Sequence, residues 1–254
     1  MIRLLPASLL LLISGFFPLR AQVSIDTLKG MFRAVYLPGK DSVLRTYADG
    51  YSLSPPDNPL NEKRYRVNNW SEVNAFSDFF VNEKNEIVMI DRVDASVARV
   101  TADRIDSSER AGFPKMFIER TLFEHPSGIY MFGGYGFWSA RNKLVRVSDD
   151  YKWEPVMFNS TASSSKFHPP GLFESQAVVI KNEAWLFNGR IVNAADPLEK
   201  PYFNEVWAYD IEERYWKKKG NIKPDFFDGT PHSRILISRD DRAYILRDEK
   251  GVLE

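Results

Sequence analysis

The stretch Ile129–Trp153, "IYMFGGYGFWSARNKLVRVSDDYKW", holds in order an apolar quartet, a glycine pair, an aromatic loop, an alternating run, an acidic turn and a tryptophan. An apolar quartet ended by two glycines reads as a buried strand that stops where the backbone must bend sharply or approach a neighbour closely. The alternating run, and the tryptophan beyond the acidic turn, read as two further strands.

The order returns. Ile129-Tyr130-Met131-Phe132 has a counterpart 55 residues on in Ala184-Trp185-Leu186-Phe187, followed by Asn188-Gly189 where the earlier copy has Gly133-Gly134. "NKLVRVSDDYKW" (Asn142–Trp153) returns as "NEVWAYDIEERYW" (Asn204–Trp216), with one extra residue in the later turn and the offset grown to 62. The difference is an insertion within "IVNAADPLEKPYF" (Ile191–Phe203), and insertions that leave flanking strands intact belong in loops.

The leading strand repeats as well. "FPKMFIERTLFE" (Phe113–Glu124) aligns with "HPPGLFESQAVVI" (His168–Ile180), pairing Pro114 with Pro169 and Glu119 with Glu174. A third copy, "HSRILISRDDRAYIL" (His232–Leu246), sets His232 against Glu174, and a more worn one spans Phe79–Ala102, with Ile87–Ile90 as its quartet. The units fall at about 78–110, 111–165, 166–224 and 225–254, the last of them partial. Within each the grammar is strand, tight polar turn, strand, loop, strand, turn, strand. A four-stranded sheet cannot bury both faces alone, so it must stack on the next, with large aromatics filling the wedge between them. The expected fold is therefore all-β: a β-propeller of four-stranded blades, incomplete in this chain. Residues 22–77 are an N-terminal β segment available to the first blade. They hold one clear hairpin, "FRAVYLPGKDSVLRTY" (Phe32–Tyr47), turning at Pro38-Gly39.

In wording and spacing the repeat resembles the kelch repeat, whose propellers include the central domain of galactose oxidase. The resemblance rests on Gly133, Gly134 and Gly189, on Asn204, Trp207, Tyr209 and Asp210 in "NEVWAYD", and on Trp216 after the charged turn. It covers Phe113–Leu246 closely and Phe79–Ala102 loosely. Oxidase chemistry in that family uses a cysteine-modified tyrosine. This chain has no cysteine, so the resemblance implies the fold and not that activity.

The absence of cysteine also removes disulfides, thiolate metal sites and cysteine nucleophiles. Thirty-four basic and 34 acidic residues leave no net charge, so no field favours nucleic acid. The first residues, "MIRLLPASLLLLISGFFPLRAQ", combine Arg3, an apolar run and a small-residue cleavage site, and read as a signal peptide over residues 1–21. An exported, periplasmic or surface location follows, with no stable membrane span after cleavage, because the apolar run is shorter than the roughly 20 residues a spanning helix needs.

Candidate chemistry is sparse. His168 and His232 precede first strands, where Glu119 and Glu174 also lie, and a catalytic acid/base cluster at the channel mouth is conceivable. The competing reading is that these residues fasten the blades by hydrogen bonds. His125 falls in the turn "EHPSG" and reads as an exposed turn residue. No local ligand spacing supports a metal, and no cofactor motif is present. Tyr135, Phe137 and Trp138 crowd the loop after Gly133-Gly134, suited either to ligand contact or to packing over a blade edge. The sequence thus favours a module that binds protein or glycan through its blade-face loops over a carbohydrate- or sialic-acid-processing enzyme. A third reading is the ectodomain of a membrane-bound sensor, truncated at its C-terminal side.

Overall fold

A computed structural model describes residues 33–70, 73, 77–91, 94–107, 118–136, 138–156 and 168–222, and the backbone of strands at 235–239, 242–246, 248–249 and 252–253. Residues 1–21, the expected signal peptide, lie outside these. The fold is all-β and is built on four-stranded antiparallel sheets whose strands are laid down in chain order, with two-stranded ribbons and hairpins beside them. The chain divides into two compact units, one of residues 1–90 and 98–107, the other of residues 91–97 and 108–254.

The first unit holds two sheets. Strands β1 (Arg33–Leu37), β2 (Ser42–Tyr47), β3 (Gly50–Ser54) and β4 (Lys63–Arg66) form one, and β5 (Ser77–Val81), β6 (Ile87–Asp91), β7 (Val97–Val100) and β8 (Ile105–Ser107) the other. The hairpin expected at Pro38-Gly39 forms between β1 and β2, closed by a 3-10 turn over Pro38–Lys40. Proline's fixed φ suits the first position of such a turn. Sequence pattern gave only that hairpin, whereas the segment completes a whole sheet. Leu37, Leu44, Tyr51 and Trp70 pack with Phe79, Ile87, Met89 and Val100 in one core shared by both sheets. Tyr51 stacks on Trp70 at 5.7 Å, and Trp70 on Phe79 at 6.3 Å.

The second unit repeats this plan. Strands β9 (Thr121–His125), β10 (Gly128–Phe132), β13 (Leu144–Val147) and β14 (Trp153–Pro155) form its first sheet, and β15 (Gln176–Ile180), β16 (Glu183–Phe187), β19 (Glu205–Asp210) and β20 (Tyr215–Asn221) its second. Between the second and third strands of each sheet lies a small two-stranded ribbon, β11 (Tyr135–Gly136) with β12 (Ser139–Ala140) and β17 (Gly189–Arg190) with β18 (Tyr202–Phe203). A further hairpin, β21 (Ile235–Arg239) with β22 (Arg242–Leu246), is followed by the ribbon β23 (Asp248–Glu249) and β24 (Val252–Leu253), which repeats the order again. First strands of successive sheets neighbour one another within each unit, β1 with β5, β9 with β15 and β15 with β21, as propeller blades require.

The 55-residue offset is exact in the strand register: Phe132 pairs with Thr121 as Phe187 pairs with Gln176. The later offset of 62 holds too, since Val145 faces Met131 as Trp207 faces Leu186. Between the two sheets, Phe132, Leu144 and Leu172 pack with Leu186, Trp207, Tyr209 and Trp216. Trp216 meets Phe132 edge-on and Tyr209 at a tilt, each with ring centroids 5.1 Å apart. Burying such rings contributes about 1.5–3 kcal/mol apiece and explains why these motif positions are large and aromatic. Trp185 points to the other face of its sheet, where it is half-buried beside Phe187.

Candidate functional site

The ends of the second unit's sheets that carry the ribbons form a surface here termed the loop face. It is built on backbone contacts that recur at equivalent positions of successive repeats. Ile118 exchanges two hydrogen bonds with Tyr135, and Phe173 with Arg190, 55 residues on. The next residues, Glu119 and Glu174, both take left-handed backbone, with φ of 59° and 53°. That conformation turns the chain from each bridge into the following first strand, and the Glu174 amide donates to the Glu119 carbonyl at 2.9 Å.

Glycine is required beside this seam. A Cβ on Gly133, where φ is +76°, would stand 2.2 Å from the Leu172 carbonyl oxygen. In the next repeat Asn188 occupies that place with φ of 52°, and Gly189 leaves room for the side chains of Leu172 and Ser175. The Thr121 hydroxyl donates to the Ser175 carbonyl at 2.8 Å, a buried cross-repeat bond.

Side chains on this face are heavily engaged. Arg190 pairs with the Glu174 carboxylate at 3.0 Å, donates to the Tyr202 hydroxyl at 2.9 Å and lies 4.6 Å from the Tyr202 ring centroid. Burial works against the Arg190 charge, but Tyr202, Glu174 and Glu119 outweigh it and raise the guanidinium above its ordinary pKa. Arg120 is the reverse case. Burial pulls it down to about 10, against the opposing carboxylates of Asp94 and Asp91.

The residues expected from sequence separate into distinct roles. Glu119 and Glu174 are adjacent through their backbones, with Glu174 held by Arg190. His168 is exposed, and its Nδ1 lies 3.4 Å from Asn142 Nδ2 and 3.0 Å from the Pro169 carbonyl. Among the described residues no three His, Cys, Asp or Glu side chains converge as a metal-binding group. His232 and Phe137 lie outside the described residues.

Tyr135 is half-buried, with its ring 4.9 Å from Phe173 and covered by the Lys200 ammonium at 4.3 Å. Trp138 is 61% exposed, at the tip of the β11–β12 ribbon and in left-handed backbone with φ of 61°. On the same face are Leu198 (74% exposed), Tyr202 (45%) and Ile118 (43%). These four are the exposed large hydrophobic residues of the second unit among the described residues, and all belong to loop-face segments. Leu198 and Tyr202 went unnoticed in the sequence as individual contacts, although the inserted loop that carries them was legible as an insertion.

His125 differs from its expected exposed state. It is half-buried in the β9–β10 turn, with Nδ1 accepting from the Ser127 amide at 3.1 Å and lying 2.7 Å from the Ser127 hydroxyl. Among the described residues no helix is long and apolar enough to cross a membrane. No protein-family model matches the chain, and no curated protein matches it either.

Proposed function

We propose that the protein is an exported, kelch-like propeller module that binds a protein or glycan partner through its loop face. The observation that carries this reading is Trp138. A bulky residue in left-handed backbone costs on the order of 1 kcal/mol relative to glycine or asparagine, and an indole left 61% exposed recovers little of it on folding. Trp138 therefore costs local stability without a matching gain from burial, as a residue that serves contact with a partner does. Leu198, Tyr202 and Ile118 extend the surface, and an exposed apolar group of this kind with cationic neighbours fits the centre and rim of an interface. The signal-like N-terminus supports export, and the repeat wording supports the kelch assignment.

The engagement of Glu174 by Arg190, and of His168 by Asn142, supports fastening rather than reaction at these positions. The test is co-sedimentation of the full chain with purified envelope fractions and with insoluble glycans, wild type against Trp138→Asn combined with Leu198→Ser. Retention of wild type and at least about tenfold weaker retention of the variant, with near-UV circular dichroism unchanged, is expected. Equal retention of the two proteins, or none of the wild type, overturns the proposal.

A further inference from the structure

The opposite end of the second unit's sheets, away from the loop face, holds a groove of about 510 Å³ between them. That volume lies within the range of small-molecule sites. Its lining comes from the β9–β10 turn and from β10, β13 and β14 on one side, and from β19 and the β15–β16 and β19–β20 turns on the other. At its base are two phenols from facing sheets, Tyr130 and Tyr209, both buried. Burial raises the Tyr209 pKa, and the neighbouring Tyr130 raises it further, so the Tyr209 hydroxyl stays protonated and acts as a neutral donor or acceptor.

The polar groups above them alternate in kind. The Ser127 hydroxyl lies 2.7 Å from His125 Nδ1 and 2.9 Å from the Tyr130 hydroxyl. Because Nδ1 also accepts the Ser127 amide proton, the neutral ring carries its own proton on Nε2. Arg146 stands directly opposite Glu154 across the β13–β14 pairing, and it makes a long 3.4 Å contact to the Ser127 carbonyl. Across the groove Glu212 accepts from Asn182 at 2.8 Å, two residues before Arg214.

Two guanidiniums and two carboxylates thus line one cleft with no net charge. An anion would meet Glu154 and Glu212, and a cation would meet Arg146 and Arg214. A hydroxyl, which donates and accepts at once, can use both kinds of group, and a vicinal pair of hydroxyls matches the two-pronged geometry of each. Val156, Pro155 and Ile211 supply apolar surface for C–H groups. We propose that this groove is a binding site for a neutral carbohydrate. The site is separate from the loop face, and the proposal stands or falls without it.

The experiment is saturation-transfer NMR followed by titration on the full chain. Neutral probes are D-galactose, D-mannose, N-acetylglucosamine, maltose and cellobiose, with D-glucuronate and D-glucosamine as charged controls. At least one neutral sugar should saturate at low-millimolar concentration or below. Arg214→Ala and Glu154→Gln, both at exposed side chains, should each weaken it by about tenfold or more while leaving the fold intact. Trp138→Asn should leave it unchanged. Failure of every neutral probe to bind, tighter binding of glucuronate or glucosamine than of any neutral sugar, or binding indifferent to both groove substitutions would overturn the assignment.

Discussion

The two units build the same four-stranded meander from sequences of different legibility. In the second, the sheets carry repeated wording: a glycine or asparagine after the second strand, an alternating third strand and a tryptophan on the fourth. In the first, sheets β1–β4 and β5–β8 share a core containing Tyr51, Trp70 and Phe79 with none of that wording. Apolar alternation and short turns are therefore enough for the sheet. The repeated words record something else: how one sheet is stitched to the next at the loop face, and how one aromatic is wedged between them.

The largest effects follow from those wedges. Trp70→Ala and Trp216→Ala should each destabilise their unit by about 3–5 kcal/mol, as truncation of buried aromatics does. Phenylalanine at the same positions should separate them. Trp70 Nε1 donates to the Tyr47 carbonyl at 2.7 Å, while Trp216 Nε1 is buried with no hydrogen-bond partner among the described residues. Trp70→Phe leaves a carbonyl unsatisfied and should cost about 1–3 kcal/mol. Trp216→Phe removes an unsatisfied donor along with ring volume and should cost clearly less. Urea unfolding followed by hydrogen exchange of strand amides assigns each loss to its unit, and equal losses would make the indole nitrogen irrelevant to the comparison.

Next come the stitches. Gly133→Ala places a Cβ against the Leu172 backbone and strains the left-handed turn, so a loss of about 2 kcal/mol or more is expected in thermal or urea unfolding. Asn188 tests the same site in the opposite sense. Its amide is buried, with neither Nδ2 nor Oδ1 partnered among the described residues. Asn188→Gly restores the wording of the preceding repeat and should stabilise by about 1 kcal/mol, relief of the buried amide exceeding the added chain entropy. A destabilised Asn188→Gly protein would show that the amide has a role the geometry does not reveal.

These residues also mark what was legible beforehand. The glycines and the aromatic positions were readable because steric demand and ring volume admit few substitutes. Strands β3 and β4 were not. Lys63–Arg66 reads KRYR and is largely exposed, an edge strand whose hydrogen bonds go to β3 while Tyr65 alone stacks inward on Tyr51 and its three basic residues are exposed. Charge suits such an edge and erases the apolar pattern that would have announced it. The contact surface was legible in part. Trp138 stood out because it is aromatic in a loop, but its left-handed backbone was not readable from residue type. The groove at the other end was invisible, since Arg146, Glu154, Asn182 and Arg214 come from two strands and two separate turns and spell no motif.

The smallest expected effect is electrostatic and again differs between the units. On the last four-stranded sheet, Lys217 bridges Asp210 at 2.9 Å and Glu183 at 3.3 Å, and Lys219 reaches Glu183 at 2.7 Å. Burial pushes these carboxyls up, but hydrogen bonds and charge from the lysines, with backbone amides at Asp210, outweigh it and hold both below the ordinary range. A depressed carboxyl stabilises the fold fully above its unfolded pKa, about 4, and that contribution drains away as pH falls through the lower folded value. In the first unit Asp106 is lowered by Arg99 and Arg104, though solvent screening leaves that pair little weight. Acidification from pH 5 toward the folded carboxyl pKa values should therefore raise hydrogen exchange in β16, β19 and β20 before it does so in β7 and β8. The shift should be modest, about 1 kcal/mol or less, because the lysines remain partly in water. Lys217→Met should flatten the acid dependence of the last four-stranded sheet alone. An unaltered pH profile in that variant would mean that the network orders side chains without stabilising the sheet.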